Sequence, residues 1–190
     1  NGWKGRAQFV LIKQAATIGD RGIEADNNEA NNDSTPRAQP ILSNLTIIGR
    51  AGDSATQGVL LRRGTGANIW NSVITGSPTC LTIDGAATFA NAGAPGSLTG
   101  SLTIQNSFVN CAANFADGDD ATFTTSDWFL SQSGNVAGDS LLSGYLPAAG
   151  SPLTLGGAAV SDAFFTPVDY SGAFKDANSD WTKEWTFPFN

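Results

Sequence analysis

Glu24 and Asp26 stand two residues apart in the run GIEAD, between Ile23 and Ala25. In an extended strand this spacing puts both carboxylates on one face and the apolar pair on the other. Two carboxylates on one face can do acid–base work or share a cation. Arg62 and Arg63 follow in the next similar run, with Asp20, Glu29 and Arg21 close in sequence to the carboxylates. The competing reading is a solvated strand face in which Glu24 and Asp26 pair with Arg62, and that reading is favoured. A second acidic group, Asp117-Gly-Asp119-Asp120, offers hard oxygen ligands for Ca²⁺ in a flexible loop, as does Asp26-Asn-Asn-Glu-Ala-Asn-Asn-Asp33. Neither has the spacing of an EF-hand loop or of a glycine-rich nonapeptide repeat, so an acidic turn explains them equally well. Gly64-Thr-Gly-Ala lacks the Lys-Ser/Thr ending of a phosphate loop.

Composition limits the chemistry further. The chain of 190 residues has no His and no Met, 22 Gly, and only 14% charged residues. Histidine-based triads, general bases and metal sites are therefore excluded. A net charge of −7 argues against a nucleic-acid partner. No apolar run approaches the length of a membrane span. All eight Asp between residues 64 and 174 lie in a stretch without Lys or Arg. Such a stretch relies on burial, backbone hydrogen bonds or bound cations such as Ca²⁺, not on internal salt bridges. The absence of an initiator Met points to a processed product or a fragment, with any targeting segment upstream.

The elements that would position these residues are short strands. Runs rich in Val, Ile, Leu, Thr and Phe begin at Gln8, Asn44, Asn71 and Asn106. Leu42, Ile69 and Ile104 each stand two residues before the Asn, and the Asn spacings are 27 and 35 residues. A second strand follows most of these runs: 22–26, 58–63 and 80–84. One such unit cannot bury its apolar face, whereas stacked units share a continuous core. The pattern predicts an all-β fold, a right-handed parallel β-helix, with rungs over 1–116 and a capping region over 117–190. Asn44, Asn71 and Asn106 then occupy one corner and form a ladder, each amide bonding its counterparts above and below. Asn44-Leu-Thr is also a glycosylation sequon, idle if that corner is buried. Segments 27–40 and 86–100 read as loops. A short helix follows Thr124 or Thr125 and ends near Gly134. The tail from Ala163, with five Phe, Tyr170, Trp181 and Trp185, is expected to cover the open sheet end. Cys80 and Cys111 form a disulfide in an oxidising compartment or remain two buried thiols.

The strings GWKGRAQFVLIKQ, DRGIEADNN, PILSNLTIIG, GVLLRRGTGANIWNSVITG and CLTIDG, with FFTPVDYSGAFKDANSDWTKEWTF near the end, resemble a family of secreted bacterial parallel β-helix proteins. Its members are usually described as hypothetical proteins or lipoproteins. The resemblance implies a right-handed parallel β-helix and export to the cell surface or beyond. It also implies further rungs upstream of Gly2-Trp3, and it places Cys80 and Cys111 where relatives pair their cysteines. It carries no settled activity and transfers no catalytic residue. Polygalacturonase-like β-helices use a His and an Arg-X-Lys element that this chain lacks. Pectate-lyase-like ones need Ca²⁺ carboxylates and an arginine base, for which Glu24, Asp26 and Arg62 are the candidates. Two functions remain in play. One is a non-catalytic extracellular or cell-surface structural protein, self-associating or joined to an upstream portion of the same protein. The other is a polysaccharide-binding or polysaccharide-degrading protein, with Ca²⁺ as cofactor and Trp3 and Trp70 as stacking surfaces.

Overall fold

β-branched and aromatic residues pack well on a pleated, half-buried surface, and the runs that hold them become the strands. A computed structural model describes residues 2–51, 55–184 and 186. In the first repeat β1 (Arg6–Lys13) is followed by β2 (Arg21–Asp26). In the second, β3 (Ile41–Ile48) is followed by β4 (Gln57–Arg62). The third contains β5 (Ala67–Trp70), β6 (Val73–Thr75) and β7 (Thr79–Ile83). The fourth contains β8 (Leu102–Gln105), β9 (Phe108–Asn110) and β10 (Ala113–Asp117). A fragment of a fifth layer, β11 (Val136–Ala137), pairs with β9. The chain is thus all-β, with few helices.

Strands of successive repeats pair in parallel. One sheet runs β11–β9–β6–β3–β5–β8, with β1 also on β3; the other runs β10–β7–β4–β2. Strand β3 pairs with β5 through its first half and with β6 through its second. The bend between the halves is Asn44, at φ 58°. Its register partners repeat the conformation: Phe9 at φ 57°, Asn71 at 50° and Asn106 at 51°. Gly134, at φ 69°, extends the column below Asn106. This left-handed conformation costs most L-residues roughly 1–2 kcal/mol and Asn or Gly less, which explains the residue types at the corner. The first run registers on Phe9, one residue later than its starting Gln8.

Inward-facing columns make the core. Leu42, Ile69 and Ile104 align in one, and Ile47, Ile74 and Val109 in another, all at most 8% exposed. Val59 and Leu81 align opposite them in the second sheet, again buried. The segment 86–100 contains α1 (Ala86–Ala92), a helix that the loop expectation missed. Helix α2 (Thr125–Leu130) starts where expected, with the Thr124 hydroxyl accepting from the Asp127 amide, but ends at Ser131. Gly134 is taken by the corner column instead.

Helix α2, inside the expected capping region 117–190, packs its aromatic side chains onto the core. Trp128 and Phe129 are fully buried, and the Trp128 indole donates to the Ala92 carbonyl at 2.9 Å. The tail makes a small hairpin from β12 (Leu142–Ser143) and β13 (Leu146–Pro147), then a 3-10 turn over Pro152–Leu155. It then runs back along the corner column. Trp185, Phe187 and Phe189 lie outside the described residues. The change expected at residue 117 falls on the last residue of β10, and β11 joins the stack beyond it.

Candidate functional site

Parallel pairing of β2 with β4 sets Asp26 beside Arg62. Arg62 Nε donates to Asp26 Oδ1 at 2.9 Å, and Arg62 Nη2 donates to Glu24 Oε1. Arg63 Nη1 donates to Asp26 Oδ2 at 2.8 Å, and its Nη2 to Glu29 Oε1 at 2.7 Å. The structure therefore brings Glu24, Asp26 and Arg62 together and adds Arg63 and Glu29. The side chains of Asp26 and Arg62 are each 24% exposed, and that of Glu29 is 75% exposed. The Arg62 guanidinium is held further into its protonated form. The hydrogen bond that it donates to Asp26 is the main cause; desolvation opposes it, and the charges of Asp26 and Glu24 add to it. Each Asp26 oxygen accepts from one guanidinium group, the pairing that the structural reading of this face requires. Such a half-exposed network contributes little stability for its number of charges.

The acidic loop is tied to its neighbours through its backbone and the Asp117 carboxylate. Asp117 Oδ1 accepts the Thr125 amide at 2.6 Å, which ties β10 to the start of α2. The Asp119 amide donates to Asp84 Oδ1 at 2.8 Å, and the Asp119 carbonyl accepts from Gly85. Asp120 occupies a left-handed turn at φ 60°. Among the described residues no group of three or more His, Cys, Asp or Glu is placed to hold a metal ion. Of the carboxylates of Asp117, Asp119 and Asp120, the Ca²⁺ candidates, that of Asp117 is engaged at the helix start, whereas Asp119 is held through its backbone.

The corner asparagines are stacked; Asn71 reaches Asn44 through the Ser43 hydroxyl, Gln8 donates to Asn44 Oδ1 at 3.1 Å, and the corner amides also bond the tail. Asn71 Nδ2 donates to the Ala158 carbonyl at 2.8 Å, and Asn71 Oδ1 accepts the Ala158 amide at 2.8 Å. Gln8 treats Thr166 in the same two-bond manner, at 2.9 and 2.8 Å. Asn44 Nδ2 donates to the Tyr170 carbonyl at 2.9 Å, and Asn106 Nδ2 to the Gly156 carbonyl at 3.5 Å. Amides in the left-handed bend face the returning tail, whose backbone needs partners. Asn44 is fully buried, so its sequon is not available for glycosylation. Sequence reasoning missed the Arg6–Asp162 ion pair at 2.6 Å, for which a separation of 156 residues leaves no local signal.

Cys80 and Cys111 form a disulfide with Cα atoms 5.5 Å apart, linking β7 to the turn after β9. Trp3 is 55% exposed before β1. Trp70 lies in β5 of the first sheet, apart from the carboxylates in β2 of the second. No helix among the described residues is long and apolar enough to cross a membrane.

A family model described as a pectate-lyase-like β-helix domain matches residues 1–186. Comparisons with curated proteins and with solved structures return no match. Parallel strands stacked repeat upon repeat, with a match over nearly the whole length, place the chain in one family: it belongs to the pectate-lyase-like β-helix domains.

Proposed function

We propose that this chain is a non-catalytic β-helix module of a bacterial extracellular or cell-surface protein, acting by presenting a stable surface and by self-association. The supporting observation is the closure of the Arg62 network. Asp26 is bound by Arg62 and Arg63, and Glu24 by Arg62. The candidate acid–base pair is thereby spent on ion pairs. Its repeats are inferred to close into a right-handed solenoid, the hand that crossovers between parallel strands of one sheet take as a rule. Extracellular placement is supported by the Cys80–Cys111 bond, since disulfides persist mainly in oxidising compartments. The test is incubation with polygalacturonate, alginate and neutral plant and bacterial polysaccharides, with and without Ca²⁺. New reducing ends and unsaturated products are the readouts. No product is expected, and Glu24→Gln with Asp26→Asn should leave folding nearly unchanged. Cleavage that the double variant abolishes would overturn the reading.

A second reading, polysaccharide binding without cleavage, is favoured by exposed Trp3 and by the family's description. Affinity electrophoresis in the same polysaccharides tests it, with Trp3→Ala as the discriminating variant. Retardation lost in that variant would establish binding.

A further inference from the structure

We propose that the outer edge of β10 is a strand-addition site and that its occupant is an extended segment of a partner protein carrying Lys or Arg. The proposal goes beyond the reading above and stands apart from self-association. It begins from the unequal treatment of the two sheets by the chain itself. After α2 the chain lays residues 132–138 along the last edges of the first sheet. Gln132 Oε1 accepts the Ile104 amide at 2.8 Å, and Asn135 Nδ2 donates to the Ile104 carbonyl at 2.7 Å. The Asn106 amide donates to the Ser133 carbonyl at 2.9 Å, and β11 pairs with β9. The second sheet receives no such layer. Among the described residues, no strand pairs with the outer edge of β10, although the chain has already passed it.

Parallel pairing engages the backbone of alternate residues. The Ala113 amide donates to the Pro78 carbonyl at 2.8 Å, and Ala113 and Phe115 register on Thr79 and Leu81. Asn114 and Ala116 therefore turn their backbone groups away from β7. The Ala116 carbonyl accepts the Thr125 hydroxyl at 3.0 Å. Among the described residues, no bond outside the ladder takes the Ala116 amide or either backbone group of Asn114. Beside them lies an open cleft of about 530 Å³, bounded by Ala113–Asp117 on one side and by Thr124, Ser126 and Asp127 on the other. An unpaired sheet edge with room beside it is a template for strand addition.

Charge selects the occupant. Asp117 and Asp127 line the cleft, and Asp119 and Asp120 follow β10 directly. The Asp119 amide ties Asp84 to the same group. Among the described residues none of these five carboxylates is in an ion pair, whereas Asp20, Glu24, Asp26, Glu29, Asp33 and Asp162 all are. Their own stretch of chain supplies no Lys or Arg. A cation brought by a partner is attracted there, and an acidic segment is repelled. Side chains two apart on an added strand share a face, so alternate basic residues meet the carboxylates together.

The test is fluorescence anisotropy of a labelled, capped peptide alternating Lys and Val over about seven residues, a little longer than β10, titrated with the whole chain. One control peptide carries Glu in place of Lys. Two more are N-methylated on the backbone, at the Lys or at the Val positions, since one of these sets must face β10. Ala116→Pro removes the edge amide and, because that amide points away from β7, no ladder bond. Circular dichroism checks its fold, and the N-methylated peptides read the same bonds on the unaltered chain. The Lys–Val peptide should bind and protect the Asn114 and Ala116 amides from hydrogen exchange. The Glu peptide should not bind. One N-methylated peptide, and Ala116→Pro, should each weaken binding at least about tenfold. Asp119→Asn with Asp127→Asn should weaken it about threefold or more and flatten its salt dependence. No binding of the Lys–Val peptide overturns the proposal. Binding that survives both N-methylated peptides and Ala116→Pro is charge attraction alone and overturns it too. Protection of Asn114 and Ala116 that grows with chain concentration, without peptide, assigns the edge to a second copy and likewise overturns it. Failure here leaves the non-catalytic reading standing, since that reading falls only if the chain cleaves polysaccharide.

Discussion

From Arg6 to Asp117 the chain is held by aligned apolar columns and parallel backbone ladders. From residue 139 to residue 184 it is held mostly by single side chains gripping backbone. In the first region each repeat repeats the last, so Ile47, Ile74 and Val109 do the same work in successive layers. In the second no contact recurs by translation along the chain. Leu153 packs on Val73 and Phe108 in a small cluster of its own. Asn71, Gln8 and Asn44 then hold Ala158, Thr166 and Tyr170. Burial scales with area and is cooperative through the stack, whereas each polar clip contributes only about 0.5–1.5 kcal/mol net. The comparison teaches that the fold's stability belongs to the repeats, and that the tail is a reader of their corner geometry.

The largest expected effect is a cavity in the repeats. Leu81 is fully buried, and Leu81→Ala should cost about 2–5 kcal/mol. Leu155 in the tail is 84% exposed, and Leu155→Ala should stay within about 0.5 kcal/mol of the parent. Denaturant titration of both variants measures the contrast. Equal losses would erase the division between the regions.

Next in size is the disulfide. Cys80 and Cys111 are 31 residues apart in sequence and join the third repeat to the fourth. Replacing both by Ser should cost about 3–4 kcal/mol on the loop-entropy model. The tail's protease sensitivity in native buffer should change little. A variant that frees the tail before it lowers the denaturation midpoint would show that the tail depends on this link.

The corner column can be taken apart at Asn71. Asn71→Gly keeps the left-handed backbone and removes the two bonds to Ala158. Asn71→Ala removes the same bonds and adds roughly 1–2 kcal/mol of backbone strain. Both should release the tail to limited proteolysis, while only the Ala variant lowers the stability of the repeats by that additional amount. If Gly and Ala behave alike, the bend is not what selects Asn.

These contrasts also mark what could be read from the sequence. The Asn at 44, 71 and 106, with Leu42, Ile69 and Ile104 two residues earlier, exposed the register because backbone conformation and apolar period repeat locally. Phe9 at the same corner was not legible: its type gives no left-handed signal. Helix α1 was hidden by the Gly and Ala content around it. Glu24, Asp26 and Arg62 were legible as a group because strand period and one repeat of separation suffice to join them. The destinations of the asparagine amides were not, since Asn71 and Ala158 meet across 87 residues of irregular chain. Stacking is a local rule applied many times, and the return of the tail is a single global event.

The smallest expected effect separates the regions by pH. Asp162, Asp176 and Asp180 all lie in the tail and are all held below the ordinary carboxylate range. For Asp162 the chief cause is the Phe164 amide, with Arg6 next. For Asp176 it is the Ser179 hydroxyl and then the Asn178 amide. At Asp180 burial pushes upward and is outweighed by Thr182 and Tyr145. A carboxyl whose folded pKa is depressed contributes stability above its unfolded value of about 3.9, and loses it as pH falls through the lower folded value. Acidification below about pH 4 should therefore loosen the tail while the repeats stay protected. Amide exchange at Phe164 reads the Asp162 contact. Emission of Trp181, stacked on Phe174 at 5.2 Å, reads the neighbourhood of Asp180. Asp162→Asn should flatten the Phe164 response and leave that of Trp181 in place, because the two carboxylates are bonded to different partners. Exchange that rises at Phe164 and at Ile47 in one step would mean that tail and repeats open together, and that the polar clips are as cooperative as the core they grip.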